Sequence, residues 1–89
     1  MIYLLLVHPD EVTALAWVTI EPSPVGGFTL WPEPFVGQYH PPVWRGSATA
    51  AKEEALSMCT EWSTQAPYEG GYLVQVVTPD EVVVEEITL

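Results

Sequence analysis

His8, Asp10 and Glu11 place an imidazole and two carboxylates side by side in the chain. These side-chain types hold metals and move protons. A zinc or acid–base centre asks for more, above all a second ligand at a suitable spacing, and the other histidine, His40, lies far off in a proline-rich stretch. The cluster therefore reads as a polar turn, with Pro9 presetting φ at its second position. Cys59 is the single cysteine. A nucleophilic thiol needs exposure and a basic neighbour, whereas the spacing around Cys59 puts it on an apolar helix stripe, where it acts as a small hydrophobe. No glycine-rich phosphate loop, serine-centred elbow or paired-cysteine motif occurs. The expectation is a non-enzymatic protein with no catalytic residue, no metal and no cofactor.

The remaining chemistry is negative charge. Twelve carboxylates face only Arg45 and Lys52, a net charge of −10. Such a field repels nucleic acid and anionic membranes and steers the chain toward a protein partner with a basic surface. Direct nucleic-acid or membrane binding is thus not expected. Asp10 and Glu11, and separately Asp80 and Glu81, fall at turns, while Glu53, Glu54 and Glu61 line one side of a helix. If turns and helix face converge, these carboxylates could imitate a row of phosphates and occupy a nucleic-acid-binding groove. The competing explanation is that acidity only keeps the protein soluble.

Aromatic side chains form a second candidate surface. Residues 32–44, PEPFVGQYHPPVW, contain four prolines, which deny a β-ladder its N–H donors and predict an extended loop. Trp31, Phe35, Tyr39 and Trp44 on and beside it offer large, stiff contact area for recognition. Alternatively, Phe35, Tyr39 and Trp44 fold inward as a lid, since a small domain needs its aromatics for the core.

The elements that must position these groups are organised around residues 47–62. Ala48, Ala51, Ala55, Met58, Cys59 and Trp62 recur at helical spacing, with Thr49, Glu53, Glu54, Ser57, Thr60 and Glu61 opposite. Ser47 or Thr49 can cap the start, Glu53 and Glu54 favour the positive end of the dipole, and Ser63, Thr64 and Pro67 close the helix. Residues 2–7, IYLLLV, are apolar on both alternating faces, as in a central strand. Residues 12–21 alternate as a long strand, although Pro9-Asp10-Glu11 is also a fair helix opening. The β-branched Val18, Thr19 and Ile20 favour the strand. PSPVGG makes a turn, residues 28–31 a short strand stopped by Pro32, and Val43 and Trp44 a brief return to the sheet. Gly70-Gly71 marks a bend before strands at 72–77 and 82–89. YLLLVHPDEV and YLVQVVTPDEV echo one another because two turns use the same chemistry. Glu85 and Glu86 put a carboxylate on each face of the last strand, as an edge strand does.

The assembled expectation for residues 1–89 is one small acidic α+β domain. Its mostly antiparallel sheet has four to five strands (β-β-β-loop-α-β-β), with one helix packed across one face. Leu5, Trp17 and several valines are more apolar surface than one helix covers, so either the long loop or another chain must shield the second face. One cysteine, a short apolar N-terminal run without flanking positive charge, and only six consecutive apolar residues against the roughly 20 that span a bilayer point to a cytoplasmic protein.

The strands followed by RGSATAAKEEAL resemble HicB-type antitoxins, whose sheet is followed by a Gly-Thr-Glu-Ala helix opening. Residues 46–56 carry the likeness. That family's tight Pro-Gly turn is replaced here by WPEPFVGQYHPPVW, so no residue role is carried over. The functional expectation is a protein-interaction module, specifically an acidic inhibitor occupying a basic, nucleic-acid-binding surface of its partner. The alternative is an assembly subunit that forms a homodimer through its sheet face or edge strand. A third reading, a small enzyme, requires a concave site near His8 or His40.

Overall fold

β1 (Ile2–Val7) lies near the middle of the sheet, as its two-faced apolar sequence requires. It pairs with β2 (Ala16–Pro22) on one side and β5 (Leu73–Val77) on the other. The computed structural model describes residues 1–34, 39–68 and 70–89. β3 (Phe28–Glu33) and β4 (Val43–Arg45) continue outward beyond β2, and β6 (Val83–Thr88) lies outside β5. The order is β4-β3-β2-β1-β5-β6, with every neighbouring pair antiparallel. Helix α1 (Ala48–Ser63) carries the chain from the β4 edge back to β5 and packs over β1 to β4. The α+β architecture matches the sequence expectation, and the sheet has six strands rather than four or five because residues 43–45 complete β4.

Alternation assigns the faces. Leu4, Leu6, Ala16, Val18, Ile20, Leu30, Val74 and Val76 face the helix and meet Ala51, Ala55, Met58, Cys59 and Trp62, all buried. Ala48, expected on the stripe, is exposed at the first turn. Ser47 is the cap, its hydroxyl accepting the Ala50 N–H at 3.1 Å. No carboxylate stands in the first turn. Glu53 and Glu54 come a turn too late for the dipole role, and Glu54 instead accepts from Arg45 at 2.7 Å. At the other end the hydroxyls of Ser63 and Thr64 donate to the carbonyls of Thr60 and Glu61, satisfying acceptors the helix leaves over.

Three local expectations need correction. β2 begins at Ala16, not residue 12: the Leu15 N–H donates to Leu6 O at 2.9 Å, and Val12 is fully exposed. Pro32 does not stop β3 but sits within it, opposite Val18. It is tolerated because β4 covers only Phe28 to Leu30, which leaves β3 an edge at residue 32, where the missing N–H leaves no ladder bond unmade. The turn around Asp80 closes the β5–β6 hairpin, whereas the matching His8 turn runs on through residues 12–15 before β2 starts. No described helix is long and apolar enough to cross a membrane.

Candidate functional site

Every residue that alternates away from the helix on β1 to β5 belongs to a second face, over which no helix lies among the described residues. Cross-strand register builds it row by row. Trp17 stands opposite Leu5 and Glu33, Thr19 opposite Tyr3 and Trp31, and Thr29 opposite Trp44 and Glu21. Gln75 follows Leu5, with Glu86 beyond it at the edge. Trp17, Trp31 and Trp44 remain 40%, 45% and 52% exposed. Two of the indoles are fixed: Trp31 Nε1–H donates to Glu21 Oε1 at 2.7 Å, and Trp44 Nε1–H to Gly26 O at 2.9 Å. With their polar edges satisfied, these rings present apolar surface in set orientations.

The charges on this face are carboxylates: Glu21, Glu33 and Glu86. Arg45 and Lys52 both lie on the helix side, where Arg45 pairs with Glu54 and Lys52 with Glu85. Glu86 accepts from Gln75 Nε2 at 2.9 Å on the open face. Consecutive Glu85 and Glu86 thus do occupy opposite faces of an edge strand.

The expected acidic residues do not gather into a single row. Asp10 and Glu11 lie beyond the end of β1, and Asp80 and Glu81 lie at the opposite end of the sheet, beyond β5, which runs antiparallel to β1. Glu53 and Glu61 point outward from α1. Among the expected aromatics, Trp31 and Trp44 stand on the open face and Tyr39 is 84% exposed, so neither Tyr39 nor Trp44 of the expected lid folds into the core. Phe35 lies outside the described residues. Trp17, Glu21 and Glu33 were missed as site residues. Their signal was present in the alternations Trp17-Thr19-Glu21 and Thr29-Trp31-Glu33, set against Val18-Ile20 and Leu30 in between.

His8 proves to be a structural lock. Its ring is buried, stacked on Tyr68 at 4.1 Å between centroids and edge-on to Tyr72 at 4.9 Å. Nδ1 accepts the Asp10 N–H at 3.1 Å, which leaves Nε2–H to donate to Gly70 O at 3.1 Å. Both ring nitrogens are thereby spent on backbone. A Cβ on Gly71, at φ +81°, would come within 2.9 Å of His8 Nε2, so glycine is required there. Tyr68 closes the cluster by donating to Glu11 Oε1 at 2.9 Å; that bond first, then desolvation, raises its phenol above the ordinary range. Burial pushes the Cys59 thiol up to about 12, which leaves it unreactive in the folded chain. Among the described residues, no group of three or more His, Cys, Asp or Glu is arranged to hold a metal.

One depression opens beside the outer edge of β3. It has a volume of about 230 Å³ and is walled by Trp31, Pro32, Glu33, Pro34, Tyr39, His40 and Pro42. His40 Nδ1–H donates to Pro41 O at 2.8 Å. No protein-family model, curated protein or solved structure matches this chain. The likeness of residues 46–56 to HicB-type antitoxins therefore assigns neither fold nor role.

Proposed function

We propose that this chain is a non-enzymatic protein-interaction module, an acidic inhibitor that occupies a basic, nucleic-acid-binding surface of a partner protein. The observation that carries the reading is the uncovered sheet face, where three half-exposed indoles stand among carboxylates and both basic side chains lie on the other side. Tryptophan is the residue most enriched among binding hot spots. The surrounding negative field speeds encounter with a basic surface and penalises acidic competitors. Because the acidic turns sit at opposite ends of the sheet, the proposal rests on the aromatic face and the overall field, not on one phosphate-like row. The cytoplasmic location belongs to the same proposal.

A second reading, self-assembly, is favoured by exposed Val83 and Val84 on the β6 edge. Antiparallel pairing of two β6 strands, however, brings the Glu85 and Glu86 pairs of both copies together, which opposes it. The test is affinity capture from cell lysate at low and high salt, with identification of what is retained, using wild type and Trp17→Ser/Trp31→Ser. The expected partner is basic, is released by salt and is lost by the double variant. Binders held equally by both proteins and indifferent to salt would refute the proposal, and a concentration-dependent dimer in sedimentation would favour self-assembly.

A further inference from the structure

We infer that the depression formed by Trp31, Glu33, Tyr39 and His40 is a receptor for a single arginine side chain of the partner. The inference rests on the sheet face being the interaction surface and identifies what part of that surface reads. Among the described residues, no hydrogen bond or ion pair engages the Glu33 carboxylate. His40 spends Nδ1–H on Pro41 O, and its Nε2 has no partner among the described residues. Left open at the depression are therefore the Glu33 carboxylate, which only accepts, His40 Nε2, and the Tyr39 hydroxyl, which accepts as well as donates. They ask for a ligand rich in donors, and the −10 charge of the chain asks for a cation.

The walls favour guanidinium over ammonium. Trp31 is held by its bond to Glu21, so its flat face is already oriented, and the three prolines and Tyr39 add apolar boundary. A planar guanidinium can stack on an indole while its fork of N–H groups reaches a carboxylate, which a compact, strongly hydrated ammonium does less well. Trp17, directly across from Glu33 on β2, extends the aromatic surface toward the centre of the sheet. The aliphatic stem of a bound arginine can lie along it.

The probes are three capped pentapeptides, Gly-Gly-Arg-Gly-Gly and its lysine and citrulline counterparts. Each is titrated to a few millimolar while the indole N–H signals of the full chain are followed by NMR. The arginine peptide is expected to shift Trp31 and to bind about tenfold tighter than the citrulline peptide, equivalent to about 1.4 kcal/mol, with lysine in between. Glu33→Gln should lose that margin, and Glu61→Gln, on the outer helix face, should keep it. Equal binding of arginine and citrulline, an unaffected Glu33→Gln, or no shift at Trp31 would each overturn the inference. If the receptor fails while a captured basic partner still depends on Trp17 and Trp31, the interaction face stands. If that partner ignores both tryptophans, the broader proposal fails.

Discussion

Gly26 and Gly27 form a matched pair from which the packing of Trp44 can be measured. Both have positive φ, +89° and +68°, so alanine is strained at either position. The strain is worth roughly 1–2 kcal/mol per residue, partly offset by about 0.4–1 kcal/mol from the stiffer unfolded chain. They differ in space. A Cβ at Gly26 meets nothing within 4 Å, whereas one at Gly27 falls 2.6 Å from Arg45 O and 2.7 Å from the Trp44 ring. Gly27→Ala must therefore push the β4 backbone off β3 as well as displace the indole, since moving the ring alone leaves Arg45 O in the way. Displacing the ring breaks the Trp44 Nε1–H bond to Gly26 O, worth about 1 kcal/mol. We expect Gly26→Ala to cost about 0.5–1 kcal/mol from backbone strain. Gly27→Ala should cost about 2 kcal/mol more, in the usual range for overpacking. Urea denaturation of both variants gives the difference directly, and the Trp44 indole signal should move only in Gly27→Ala. Equal destabilisation of the two, with Trp44 unmoved, would refute the claim that the hairpin and this ring are packed in contact.

Two further outcomes follow from other parts of the fold. The Cys59 thiol is raised from 9.0 to about 12 by burial, so the native state keeps its proton after the unfolded chain has lost it. That contribution is complete below pH 9 and is lost as pH climbs toward 12, by up to about 4 kcal/mol for three units at about 1.36 kcal/mol each. Denaturation at pH 8 and 10 should show a steeper loss in wild type than in Cys59→Ala; parallel losses would contradict the assignment. Glu81 holds φ +66° at the β5–β6 turn, where Thr78 N–H donates to Val82 O and Glu81 N–H to Thr78 O. Glu81→Gly should stabilise the protein by about 0.5–1 kcal/mol, read as a higher urea midpoint, and a lower midpoint would show that the carboxylate has a role at the turn.

The open face exists because of a shortage of helix. A helix of 16 residues is about 24 Å long and about 10 Å across. It covers β1 to β4 on one side of the six-stranded sheet and nothing of the other. Among the described residues, one such helix leaves the second face of the sheet with no helix over it. That is the physical reason why Trp17, Trp31 and Trp44 stay half exposed although they are among the largest apolar side chains in the chain.

Local chemistry was legible in the residues themselves. Helix α1 followed from the spacing of Ala51, Ala55, Met58, Cys59 and Trp62, with Ser47 at its cap, and β1 from its doubly apolar run. Both turns came from Pro-Asp-Glu, and the edge position of β6 from Glu85 beside Glu86. These depend on neighbours in sequence, where periodicity and capping act over a few residues. Tertiary structure alone decided that Pro32 could stay in β3, because that depends on how far β4 extends. It also turned His8 from a candidate ligand into a lock on Gly70, because the partner lies 62 residues away. Pairing β1 with β5 put the two acidic turns at opposite ends of the sheet, and register brought Glu33 beside Trp17. Sequence alternation says which residues share a face, but which faces are covered depends on contacts between distant segments.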